Sequence, residues 1–150
     1  MDSLRIDNGL KRIEVNDAGE YIEFSVVDSE FYRAFFELLQ WFDEQENRKE
    51  IKEMEEQGDK VISGDGSKIN YDAANSVLDI REKISKEACG NIDNIFGAES
   101  SRKIFGSIVP DMYMIADFFE QIAPLIEKYA KERNQSINKK YSKSRKGAKS

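Results

Sequence analysis

The chain has 150 residues, a formal net charge of −6, 35% charged residues and a mean hydropathy of −0.66. It contains no histidine and a single cysteine, Cys89, which excludes internal disulfides, zinc sites built from Cys and His, and the commonest general base. No apolar run approaches the roughly 20 residues of a membrane span, and residues 1–12 lack the apolar core of a signal peptide, so we expect a cytoplasmic protein without a membrane contact.

Alternating polar and apolar residues predict a small antiparallel sheet between residues 4 and 26. Asn8-Gly9 is a two-residue turn signal with strand-like segments on both sides. A second turn at residues 16–19 would place Ile13 opposite Ile22. We therefore predict a hairpin, with a three-stranded meander as the alternative. Such a sheet is too small to be stable alone and must pack on helices.

A first helix is predicted from about Glu30 into the fifties, with Asp28-Ser29 as its N-terminal cap. Its first half carries an apolar stripe at helical spacing, which we interpret as core: Phe31, Phe35, Leu38, Leu39 and Phe42. Residues 43–57 are almost wholly charged apart from Ile51 and Met54, and we expect this half to project into solvent.

The Gly- and Ser-rich segment 58–70 predicts a mobile break before a second helix over Tyr71–Phe96. Two copies of Ile-Phe-Gly follow, at residues 95–97 and 104–106, on either side of a short helical turn. At each copy we expect the glycine to supply a positive φ that ends a helix, while the phenylalanine anchors the corner by burial.

Pro110 suits the first turn of a third helix, and Pro124 should bend or split that helix near Gln121. Between Lys128 and Ser150 the chain carries nine Lys or Arg and one acid, a net +8 that leaves −14 on residues 1–127. An acidic body with a basic tail is typical of interaction proteins. Residues 142–150 offer no core residue, and we expect them to be disordered.

Together these elements predict a mainly α fold: a three-helix bundle-like core, a small N-terminal antiparallel hairpin or meander, and a disordered basic tail. Residues 1–141 would form a single domain. Four aromatic side chains are expected to join the helices in one buried cluster, namely Phe35, Phe96, Phe105 and Phe119. No set of residues looks catalytic, so we expect a protein without enzymatic activity, cofactor or metal.

Three segments carry a resemblance to a known family. They are Arg12-Ile13-Glu14-Val15-Asn16, the two Ile-Phe-Gly copies within residues 92–106, and the segment 117–129 that begins Asp-Phe-Phe-Glu. The chain resembles the small tail assembly chaperones of long-tailed, siphovirus-type bacteriophages and prophages of Gram-positive bacteria. The resemblance implies a non-enzymatic role in the host cytoplasm. Such chaperones bind the tape measure protein, help recruit tail tube subunits, and are absent from the mature virion.

The expected partners are thus the tape measure protein and the tail tube protein, with a homo-oligomer left open. The candidate partner-binding residues are apolar or aromatic: Trp41, Ile51, Met54, Met112, Tyr113, Phe118, Leu125 and Tyr129. The alternative is a small nucleic-acid-binding accessory protein that acts through its basic tail. We favour a protein partner because the body is acidic and the tail has only Tyr141 for base stacking. An enzyme using Asp117 and Glu120 is a third hypothesis, although nothing distinguishes them from surface acids.

Overall fold

A computed structural model describes residues 1–45, 49–62 and 64–149, without the side chains of residues 50 and 143–149. Within those ranges a two-stranded sheet precedes five helices. The elements are β1 (Leu10–Glu14), β2 (Tyr21–Ser25), α1 (Ser29–Gln45), α2 (Lys49–Asp59), α3 (Tyr71–Phe96), α4 (Ser100–Phe105) and α5 (Met112–Lys149). The predicted mainly helical fold with a small N-terminal antiparallel sheet is confirmed.

The hairpin has the predicted register, with Ile13 of β1 opposite Ile22 of β2. Its turn is built around Asn16, whose Oδ1 accepts hydrogen bonds from the backbone N–H groups of Ala18 and Glu20. The Nδ2 of Asn16 donates to the carbonyl oxygen of Lys103 at 3.1 Å and so ties the hairpin to α4. One side chain therefore both forms the turn and fixes it to the helices.

The three-stranded alternative is not formed, because residues 1–9 lie outside any strand. The chain does not reverse at Asn8-Gly9. Instead, Val26 N–H donates to the Gly9 carbonyl oxygen at 3.0 Å, so the chain entering β1 runs alongside the end of β2. The segment before Asn8 is consequently directed away from the body of the hairpin.

The main core joins α1, α3 and α5 beneath the hairpin, as the three-helix prediction requires. Phe35, Phe96 and Phe119 are buried in it, and Phe105 is half-buried against it. The Phe96 ring lies edge-on to four others, with centroid distances of 5.6 to 6.3 Å. These arrangements favour the ring quadrupoles and add to the burial of apolar area.

The predicted projection of residues 43–57 into solvent is wrong for α2. This helix packs on α3, and Ile51 is 7% exposed. Ile51 and Met54 lie one turn apart on a single face, and this narrow stripe is enough to hold a charged helix against a neighbour. Ile51 is buried outside the main cluster. Whether α1 continues into α2 depends on residues 46–48, which lie outside the described ranges.

The long helix α5 continues through Pro124, so the predicted split is wrong, whereas the alternative of a bend stays a prediction. Pro124 has no N–H group, so the carbonyl oxygen of Glu120 lacks its usual helical donor. Both residues are exposed, so water can replace the missing hydrogen bond. The helical backbone runs to Lys149. Residues 142–150 were predicted to be disordered. The side chains of residues 143–149 and the whole of residue 150 lie outside the described part of the chain, so this disorder stays a prediction.

An ion pair links the hairpin to α4, with Glu20 Oε2 and Arg102 Nη2 2.9 Å apart. Its hydrogen bond lowers the pKa of Glu20 from an ordinary value of 4.5. Because the pKa of Glu20 is lower in the folded chain than in the unfolded chain, the ion pair stabilises the fold at pH values above the ordinary pKa. This stabilisation is lost as the pH falls through the lowered pKa. We expect Glu20→Gln to lower the melting temperature at pH 7, and this deficit to shrink steadily as the pH is lowered below 4.5. Glu120→Gln, at an exposed carboxylate of α5, is the control. A Glu20→Gln deficit that does not shrink as the pH falls would contradict the assignment.

Candidate partner-binding surfaces

An apolar surface lies where the N-terminus of α5 meets α2 and α3. We call it the methionine surface and define it as Met54, Ile108, Val109, Met112 and Tyr113. Met54 of α2 and Met112 of α5 line one small cavity of about 20 Å³. Tyr113 is 87% exposed. Methionine side chains are flexible and polarisable, which suits a surface that accommodates apolar partners of varied shape.

The loop before α5 extends this surface along α3. Ile108 and Val109 are exposed, and they line a cavity of about 290 Å³ together with Pro110 and Cys89. Pro110 borders this cavity and the one between the methionines, so the two form a continuous surface. Burial raises the pKa of the Cys89 thiol, which keeps it protonated and a weak nucleophile. The cavity is therefore suited to contact rather than to thiol chemistry.

The start of α5 is fixed by Asp111, whose Oδ1 accepts a hydrogen bond from Met114 N–H at 2.8 Å. This satisfies one of the unpaired donors at the helix terminus and places Met112 and Tyr113 in its first turn. The methionine surface is thus built on a capped helix end rather than on a loop alone.

A second apolar surface is the groove between β1, α4 and α5, which we call the hairpin groove. It has a volume of about 320 Å³, and its lining is Ile13, Glu14, Val15, Ile104, Phe105, Met114, Asp117, Phe118, Gln121 and Ile122. The rings of Phe105 and Phe118 meet edge-on at 6.1 Å in its wall. Two exposed carboxylates, Glu14 and Asp117, give this apolar groove an acidic border.

One edge of the hairpin is open beside that groove. Val15 N–H donates to the Glu20 carbonyl, and Val26 N–H donates to the Gly9 carbonyl. Because peptide groups alternate in direction along a strand, those of Arg12 and Glu14 must point away from β2. In the part of the chain that is described, no other segment pairs with that edge. β1 therefore offers main-chain donors and acceptors to an additional strand.

The structure brings together only part of the predicted partner-binding set. Met54 and Met112 line one cavity of the methionine surface, and the exposed Tyr113 follows Met112 in α5. Phe118 is instead buried in the wall of the hairpin groove. Ile51 is buried beneath α2. The other three predicted residues are half-buried at the margin of the main core: Trp41, Leu125 and Tyr129. A partner contact by any of the eight residues stays a prediction.

Sequence reasoning missed Ile108, Val109 and the open edge of β1. Ile108-Val109 does leave a signal, because two β-branched apolar residues stand between a helix-ending glycine and Pro110, where no helix can bury them. The open edge has no comparable signal. It depends on where residues 1–9 go, and the Asn8-Gly9 turn motif pointed to the opposite course.

No helix in the described ranges is long and apolar enough to cross a membrane, and no group of three or more acids or cysteines there could hold a metal ion. The fold and its two surfaces define a helical bundle that carries a β-hairpin and exposes apolar side chains. The chain belongs to the family of unknown function DUF6673, whose model matches residues 18–150. That match begins after β1. No curated protein and no solved structure matches the chain.

Proposed function

We propose that the protein is a non-catalytic tail assembly chaperone that binds the tape measure protein and helps recruit tail tube subunits. It would act in the cytoplasm of a bacterial host and be absent from the mature virion. The observation that carries the proposal is the methionine surface, where Tyr113, Ile108 and Val109 are exposed close in sequence to Met112. The resemblance carried by the two Ile-Phe-Gly copies and by residues 117–129 supports it.

The chemistry of the methionine surface suits a helical partner. A tape measure protein is a long helix-forming chain whose apolar faces are uncovered before assembly. An amphipathic helix places one apolar side chain every three or four residues along one face, and a groove or patch binds it through those anchors. Met54 and Met112 can adjust their rotamers to successive anchors, so one surface serves many sites along a long chain.

The nucleic-acid alternative depends on the basic half of α5. Two of its cations already lie near acids of the same chain: Lys131 Nζ is 2.8 Å from Glu127, and Arg133 is 3.3 Å from Asp7. Exposed pairs of this kind are weak, so phosphate could displace them. Salt separates the two proposals, because phosphate binding weakens steeply as salt rises whereas an apolar contact persists.

Co-expression with the cognate tape measure protein tests the proposal. We expect the full chain to raise the soluble fraction of the tape measure protein and to co-purify with it at both low and moderate salt. Tyr113→Asp should abolish co-purification, because it places a charge beside Met112 in the exposed first turn of α5, where an apolar partner would have to desolvate it. Tyr141→Asp is the matched control, since Tyr141 is also an exposed tyrosine on α5.

Two outcomes count against the proposal. If the tape measure protein aggregates equally with and without the folded chain, the chaperone function is wrong. If Tyr113→Asp retains the complex as well as Tyr141→Asp does, the partner binds elsewhere and the assignment of the methionine surface is wrong.

A further inference from the structure

The N-terminal arm, residues 1–8, lies on the surface with two apolar side chains uncovered. Leu4 and Ile6 are each 80% exposed. They are two residues apart, so in an extended segment they lie on the same face. The arm approaches the body through Asp7, 3.3 Å from Arg133, but the Asp7 side chain is 84% exposed. An exposed pair of this kind holds the arm only weakly.

The arm of one chain is directed away from its own hairpin groove. It joins β1 at Leu10, opposite Ser25, whereas the groove lies at the other end of the strand, around Ile13 and Val15. Folding back onto β1 would require a reversal at Gly9, whose carbonyl is already bonded to Val26 N–H. The uncovered apolar face of the arm and the open edge of β1 are therefore separated within one copy.

The arm and β1 match each other residue by residue when aligned antiparallel. Setting Arg5 opposite Glu14 also places Asp7 opposite Arg12, so both exposed pairs carry opposite charges. The same alignment places Leu4 opposite Val15 and Ile6 opposite Ile13, so both inward pairs are apolar. The peptide groups of Arg12 and Glu14 are the ones directed at the open edge, which is where this alignment needs them.

We propose that the arm of a second copy of this chain adds to the open edge of β1 as a third strand, with Leu4 and Ile6 over the hairpin groove. Each copy offers its arm and its β1 edge, so reciprocal exchange closes a two-fold symmetric dimer. Main-chain hydrogen bonds hold the strand, and the two charge pairs fix its register. The exchange covers an edge strand that would otherwise be a site for unspecific pairing.

The mass of the full chain in solution, without an N-terminal tag, tests the dimer. Light scattering from low micromolar to submillimolar concentration should show a rise towards twice the 17.3 kDa of one chain. Arg5→Glu and Glu14→Arg should each raise the dissociation constant by at least about tenfold, because each places like charges opposite one another in both symmetry-related pairs. The double variant Arg5→Glu/Glu14→Arg restores opposite charges and should recover the dimer.

Control variants separate this effect from folding and from net charge. Arg33→Glu makes the same charge change at an exposed position of α1 and should leave the dimer intact. Tyr113→Asp should also leave it intact, since dimer formation does not use the methionine surface. A monomer at every concentration would overturn the proposal. So would a dimer that is indifferent to both single reversals, or a double variant that fails to recover.

Discussion

Replacing Phe119 with alanine is expected to lower the free energy of unfolding by about 3–5 kcal/mol. Phe119 of α5 is 6% exposed and packs on α1, with its ring centroid 5.2 Å from that of Phe42 and 6.4 Å from that of Phe35. Truncation removes the apolar burial of the ring and leaves a cavity that neighbouring rings fill only in part. The loss is a large share of the roughly 5–15 kcal/mol that stabilises a typical domain.

Urea unfolding followed by circular dichroism measures this loss. Phe36→Ala is the matched control, because Phe36 is the neighbour of Phe35 in α1 but is 59% exposed. We expect the control to change stability by only about 0.5 kcal/mol, as for most surface substitutions. If Phe119→Ala lost no more than Phe36→Ala, the aromatic cluster would be a surface feature and not the core.

Replacing the glycine of either Ile-Phe-Gly copy with alanine is expected to cost about 1–3 kcal/mol. Gly97 has φ +113° and ψ 157°, and Gly106 has φ +81° and ψ −158°. Both lie in a region that is essentially restricted to glycine, because a Cβ atom clashes with the backbone there. An added Cβ meets no other atom within 4 Å at Gly106, so the cost comes from the backbone itself.

Thermal and urea unfolding of the two variants would measure this cost, with Gly90→Ala as the control. Gly90 is exposed in the interior of α3, and an added Cβ has open space. There alanine should raise stability by up to about 1 kcal/mol, through its higher helix propensity. Equal effects at Gly90 and Gly97 would contradict the assignment of a glycine-specific corner.

Local signals predicted most of the fold. The predicted helix over Tyr71–Phe96 is α3, because a continuous apolar stripe and Gly97 define it within one stretch of chain. The hairpin register followed from the length of one turn. Phe35, Phe96 and Phe119 met in one cluster because each helix has a single face wide enough to be buried.

The parts that could not be predicted depend on contacts between distant segments. No local sequence signal indicates that α2 packs on α3, because two apolar residues, Ile51 and Met54, are compatible with either a solvated or a packed helix. The methionine surface depends on the same contact, because it brings Met54 to Met112. The hairpin groove forms only when β1, α4 and α5 are placed together. Predicting the open edge of β1 would require knowing the course of residues 1–9.

The packing of α2 outside the main cluster gives the molecule two levels of cooperativity. Ile51 is buried where α2 contacts α3, whereas the cluster around Ile92 joins α1, α3, α5 and the hairpin. The smaller contact has less apolar burial to lose, so α2 should open at a lower free energy than the whole domain. The amide protons of α2 would then exchange with solvent through local opening, whereas those near Ile92 would exchange only through global unfolding. Met54 would be uncovered in the open form without loss of the body, which gives the methionine surface an adjustable border.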